Sequence, residues 1–117
     1  MAVEQNLGMN ESYATVAPSR AEVDALPGIT VVEFGTDWCG FCKMAQPLIA
    51  EALSGAAPLR HLKIEDGSGR PLGRSFRIKL WPTLVFMRDG KEVGRVVRPE
   101  SASLIRRELE QAQAVGR

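Results

Sequence analysis

The seven residues Ile29–Gly35 (Ile-Thr-Val-Val-Glu-Phe-Gly) constrain this chain more than any other stretch. A β-branched run of strand length, apolar at both odd and even positions, cannot leave either face in water. It predicts a central strand covered by helices on both sides, and so an α/β protein. Glu33, the one charged residue in the run, is thereby placed inside the sheet.

The flanking sequence supplies the layers. Ser19-Arg-Ala-Glu22 has the form of a capping box, which starts a short helix that Pro27-Gly28 ends. Cys39 to Leu53 carries helical periodicity, with Met44, Leu48, Ile49 and Leu53 as its apolar stripe. Pro47 inside it removes a donor and is expected to kink the helix. His61 to Ile64 reads as a short strand and Leu72 to Arg77 as a short helix. Thr83–Arg88 and Glu92–Val97 flank Asp89-Gly90, a strong hairpin signal. Ser101 to Ala114 closes the chain as an amphipathic helix with Leu104, Ile105, Leu109 and Ala112 inward. Ser12 to Ala17 alternates weakly and suits a short edge strand. Residues 1–11 are polar and aperiodic, a flexible tail before one domain over 12–117. A chain of 117 residues has room for one core, and this order of elements implies a sheet of mixed direction.

Several function classes drop out. No apolar run approaches the ~20 residues of a membrane helix, and Met1 to Glu11 lacks the charged and apolar regions of a secretory signal. A cytoplasmic protein off the membrane is the expectation. The net charge is only +1, but residues 1–59 hold two basic and seven acidic side chains, whereas 60–107 hold twelve basic and five acidic. Either an electropositive face steers acidic partners, or the arginines are scattered and solvated. No aromatic-interleaved basic motif supports nucleic-acid binding.

The two cysteines, Cys39 and Cys42, stand in Trp38-Cys-Gly-Phe-Cys-Lys43 between the buried strand and a helix. At a helix start, Cys39 meets unpaired amides and the positive end of the helix dipole, which favour the nucleophilic thiolate. Two intervening residues let the second sulfur close a small disulfide ring, so one cysteine attacks a disulfide and the other resolves the mixed disulfide. A structural zinc needs four ligands, and with two cysteines and one histidine, His61, an intrachain metal site is not expected. Zinc shared between two chains stays open, as does an inert cysteine pair, although a strand-to-helix junction is a poor place for the latter.

Val32-Glu-Phe-Gly-Thr-Asp-Trp38-Cys-Gly-Phe-Cys-Lys43, then Pro47, then Trp81-Pro-Thr-Leu-Val-Phe86 before Asp89-Gly90, closely resembles the thioredoxin family. The resemblance runs from about Ser12 to Ala114. It implies the thioredoxin fold: a mixed five-stranded sheet with four helices, the cysteine motif opening the second. It implies that Cys39 is the exposed attacking cysteine and Cys42 the buried resolving one. Pro82 matches a cis-proline facing the pair, and the backbone of Trp81 pairs with an extended substrate segment. Trp38 packs under the active site, and Trp38, Gly40, Phe41, Trp81, Pro82 and Arg98 make the substrate-binding surface. Glu33 stands where the family keeps a buried aspartate. Desolvation is expected to raise its pKa and suit it to take the Cys42 proton through a water. The competing reading has Glu33 snorkelling out or paired with Lys63.

The chain departs from the family pattern at four places. Phe41 stands in place of a proline between the cysteines, Trp81 is large for its position, Arg98 stands where glycine is common, and Glu33 adds a methylene to aspartate. A specialised protein-disulfide reductase is implied, with disulfide-containing clients, an upstream thioredoxin reductase, no bound cofactor and a monomeric state. A groove of Trp81, Phe41 and Arg98 would select clients with an apolar anchor and nearby acids. The alternatives are an oxidase or isomerase, which Phe41 permits, and a partner-binding module with incidental redox activity.

Overall fold

The computed structural model describes residues 12–114. The expected tail at 1–11 lies outside the described residues. Strand β1 (Ile29–Gly35) sits inside a four-stranded sheet of order β2-β1-β3-β4, with β2 at Arg60–Glu65, β3 at Thr83–Arg88 and β4 at Lys91–Val97. β1 runs parallel to β2 and antiparallel to β3, and β3 pairs antiparallel with β4. The sheet is mixed, as the element order implies.

Both faces of β1 are covered. Val31 packs with Ile49, Leu84, Phe86, Ile105 and Leu109, beneath α2 (Gly40–Leu53) and α4 (Ala102–Ala114). Val32 and Phe34 pack on the other side with Leu62, Leu72, Phe76 and Met87, beside α1 (Arg20–Asp24) and α3 (Pro71–Ser75). The alternation of strand side chains thus divides one apolar run between two cores. α1 opens on the expected capping box: Ser19 accepts from the Glu22 amide and Glu22 from the Ser19 amide. Pro47 lies inside α2, which continues through it.

The hairpin turns at Asp89 (φ 49°) and Gly90 (φ 83°), the two left-handed residues that a tight type I′ turn needs. Its tip is tied down elsewhere. The Gly28 amide donates to Asp89 Oδ1 at 2.7 Å, and the Asp89 amide donates back to the Gly28 carbonyl at 2.9 Å. Gly90 is obligatory here, because a Cβ would stand 1.9 Å from the Asp24 carbonyl oxygen.

Three expectations change. The sheet has four strands, not five, because the segment expected as a fifth forms only one bridge, between Ala14 and Ile64. Two backbone bonds, Ala14 N–H to the Lys63 carbonyl and Glu65 N–H to the Ala14 carbonyl, make up that bridge. The chain then leaves for the α1 cap, with Val16 in solvent. Met44 is exposed, and the buried stripe of α2 is Cys42, Ala45, Ile49 and Ala52. Helical periodicity marks a face, but the small residues facing α4 fix which edge of it is covered. Leu104 likewise lies outside the contact edge of α4, while Ile105, Leu109 and Ala112 are buried. Among the described residues, no helix is long and apolar enough to cross a membrane.

Candidate active site

β1 ends at Gly35, and a four-residue connection brings Cys39 to the N-cap of α2. Its backbone is still extended (φ −83°, ψ 121°), so its side chain turns back over the first turn. Cys39 Sγ accepts from the Cys42 amide at 3.2 Å, and the Cys39 carbonyl accepts from the Lys43 amide at 3.0 Å. The sulfur therefore does what a serine or aspartate does at other helix starts. Both cysteines are unbridged. Cys42 is 1 % exposed and Cys39 8 %, so Cys39 is less open than its expected attacking role implies. The cause is Trp81, which packs against the cluster of Tyr13, Cys39 and Cys42. Burial, then the hydrogen bond to Cys39, push the Cys42 thiol up to about 12, against the opposing Thr36 backbone and Tyr13 hydroxyl.

Below the cysteines lies a buried polar group centred on Glu33, which has no exposed surface. Its Oε1 lies 3.0 Å from His61 Nε2 of β2. Its Oε2 accepts from the Tyr13 hydroxyl and, at 3.0 Å, from Gln46 Nε2 of α2. Gln46 also donates to the Cys42 carbonyl at 2.9 Å and lies 3.3 Å from the Tyr13 oxygen. The snorkelling reading of Glu33 is thereby removed. Lys63, its neighbour across the β1–β2 register, lays its ammonium 4.8 Å from the centre of the Tyr13 ring. The expectation of a raised Glu33 pKa is corrected as well. Burial does push it up and is the largest single effect, but the hydrogen bond and charge of His61, with the bonds from Gln46 and Tyr13, together bring it below its ordinary value.

Gly35 joins the two layers. A Cβ there would stand 2.6 Å from Cys42 Sγ and 2.7 Å from the Tyr13 hydroxyl oxygen. Only a residue without a side chain lets the thiol and the phenol close over the end of β1.

Around the sulfurs runs a rim of large side chains. The Trp81–Pro82 peptide bond is cis, and Pro82 is buried. The Trp81 indole N–H donates to Asp66 Oδ2 at 2.9 Å, and the ring meets Trp38 edge-on, with centroids 5.7 Å apart. Trp38 is 73 % exposed, so it stands on the rim and does not pack under the site as expected, because Trp81 fills that space. Phe41 is half-exposed and carries the Arg98 guanidinium 4.0 Å above its ring. Arg98 Nε donates to the Trp81 carbonyl at 2.8 Å, so one side chain joins the cysteine motif to the cis-proline loop. Its backbone is left-handed (φ 47°), which explains why glycine suits this position. Gly40 is exposed, and a Cβ there would meet nothing. Beside Trp81 opens a cleft of about 540 Å³ whose walls include Arg70, Arg74, Arg77 and Lys79, with Asp66 as the acid among them.

Every expected site residue thus lies within one region, around or beneath the two sulfurs. Sequence reasoning missed Tyr13, His61, Gln46, Gly35 and Asp66. Gln46 was within reach, since it follows Cys42 by one helical turn and shares its face. Tyr13 and His61 depend on strand register.

The family model for thioredoxin matches residues 13–111. A rice thioredoxin H2-1 (Oryza sativa subsp. japonica) is 31% identical over 101 residues, covering 80% of this chain and 73% of the relative. A thioredoxin of Chlamydia muridarum is 43% identical over 72 residues, 60% of this chain and 69% of the relative. Among solved structures, reduced thioredoxin 2 from Pseudomonas aeruginosa PAO1 superposes with a TM-score of 0.81 at 57% identity, covering 92% of this chain and 99% of that one. With its Cys-x-x-Cys pair at the head of α2, this chain belongs to the thioredoxin family and is a thiol–disulfide oxidoreductase of the protein-disulfide-reductase kind.

Proposed function

We propose that this reductase acts on protein clients through an asymmetric dithiol, Cys39 attacking and Cys42 resolving. The observation that carries this is the helix cap: the Cys42 amide points at Cys39 Sγ from 3.2 Å, while Cys42 itself lies buried. Cys39 thiolate attacks one sulfur of a client disulfide, and the other client sulfur leaves with the electron pair. Cys42 then attacks Cys39, closing the Cys39–Cys42 bond and releasing the second client thiolate. Two electrons pass to the client, and Glu33 receives the proton that Cys42 gives up. Trp81 packs against the cysteine pair, and an extended client segment can add as a strand along its backbone.

Clients with an apolar side chain for Trp38, Phe41 and Trp81 and an acidic stretch for the neighbouring cleft fit this surface best. Arg74, Arg77 and Lys79, gathered around that cleft beside Trp81, support the acidic preference, while Arg70 is already paired with Glu65. The site is complete within one chain, which suits a monomer. An upstream thioredoxin reductase restores the dithiol, in a reducing compartment such as the cytoplasm.

The test is insulin reduction with dithiothreitol, run beside a glutathione redox titration of the pair. Rapid turnover with a strongly reducing potential is expected. No turnover, or an oxidising potential, would overturn the reductase assignment for this chain.

A further inference from the structure

The buried group under Cys42 holds more than a carboxylate. Tyr13, from the segment before α1, puts its hydroxyl between the resolving thiol and Glu33. Cys42 Sγ and the Tyr13 oxygen crowd the same point at Gly35, 2.6 and 2.7 Å from where a Cβ would be. Tyr13 packs with Cys39 and Cys42 in one buried cluster, which sets the phenol beside the thiol. A thiol S–H can donate to the phenol oxygen, and the phenol O–H donates to Glu33 Oε2. Gln46 Nε2 donates to Oε2 at 3.0 Å and lies 3.3 Å from the Tyr13 oxygen, whose second lone pair is left for the thiol.

The geometry points to Tyr13 as a catalytic proton relay, carrying the Cys42 proton to Glu33 through its own hydroxyl as the mixed disulfide resolves. This rests on the proposed division of labour between the cysteines. As Cys42 attacks, its S–H proton moves to the Tyr13 oxygen while the original Tyr13 proton moves to Glu33 Oε2. The Cys39–client S–S bond breaks, the Cys39–Cys42 bond forms, and the client sulfur leaves with the electron pair. One proton leaves Cys42 and one arrives at Glu33, and the tyrosine is neutral before and after.

The two transfers must be concerted. Burial, followed by the Glu33 charge, pushes the Tyr13 hydroxyl far above its ordinary acidity range, so a free phenolate is not an accessible stop. His61 holds the other carboxylate oxygen and keeps Oε2 turned toward the phenol. The tyrosine is fixed by its own backbone: its amide donates to Asp37 Oδ1 at 2.9 Å, and Ala14 next to it makes the bridge to β2.

An aromatic disulfide such as dithiobis(nitrobenzoate) separates the steps, because each releases one coloured thiolate. In Tyr13→Phe the first release should keep its rate, while the second slows by roughly tenfold or more, the scale of a positioned acid–base group. The wild-type second release should slow in heavy water, and that sensitivity should shrink in Tyr13→Phe. Glu33→Gln, which keeps the carboxamide shape but is a poor proton acceptor, should slow the same phase. An unchanged second release in Tyr13→Phe, or equal slowing of both releases, overturns the relay. So does a Glu33→Gln effect that Tyr13→Phe does not share. A wild-type chain that fails to reduce insulin would instead overturn the redox reading beneath it.

Discussion

The rim and the floor of the active site are built on opposite principles. The rim is large and lightly held: Trp38 has one aromatic neighbour, and the Arg98 side chain has one hydrogen bond and a stacked ring. The floor is small, polar and dry, and Glu33 has hydrogen-bond partners on three different segments. Surface groups of the first kind contribute little to stability and can change with the client. Buried groups of the second kind cannot lose a partner cheaply, since the remaining polar atom keeps its desolvation penalty. In the proposed function, client binding and proton transfer thereby fall to separable sets of side chains.

The strongest way to break this contrast is at His61. His61→Ala should cost about 3 kcal/mol, the scale of stripping a hydrogen-bond partner from a buried carboxylate, readable by denaturant unfolding. Its pH dependence sharpens the point. The native Glu33 pKa lies below its ordinary 4.5, so its stabilisation is present above about pH 4.5 and lost as the pH falls through the native value. Without His61, burial should dominate, raise the carboxyl above its ordinary value and reverse that slope. Gly35→Ala comes next, at about 1–3 kcal/mol for forcing a methyl into a filled site, with slowed resolution because the thiol and phenol are pushed apart.

The rim should respond differently. Arg98→Gly removes a hydrogen bond and a cation–π contact but also relieves a left-handed backbone worth roughly 1–2 kcal/mol, so thermal stability should barely move. Its effect should appear as an increase of about two- to fivefold in KM for acid-bearing clients, with kcat unchanged. Equal rates across several clients would remove the selective groove. Trp38→Ala should be the mildest, within about 0.5 kcal/mol of wild type.

The same division explains what the amino-acid sequence discloses. The capping box, the Asp89-Gly90 turn, the cysteine spacing and the two-faced strand are local signals, each carried by residues within a turn or a strand of one another. The rim residues come with those motifs. The floor does not, because Tyr13 and His61 reach Glu33 from 20 and 28 positions away. Their meeting depends on how β2 registers against β1 and on a single bridge at Ala14. The sign of the Glu33 shift was hidden for the same reason: burial can be inferred from the strand, whereas opposing donors on other segments cannot. Met44 and Leu104 show a milder form of this, since periodicity fixes a stripe but the neighbouring helix fixes its edges.

That single bridge has an evolutionary consequence. Tyr13 contributes to the chemistry from a stretch that precedes α1 and adds only two backbone bonds to the sheet. Such a stretch can be rewritten while both apolar cores stay intact, provided its replacement still donates a hydrogen bond to Glu33. The leading segment is thus an exchangeable cartridge: descendants of this chain can trade one proton-handling style for another by rewriting a few residues ahead of the first helix, with the cysteine motif left as it is.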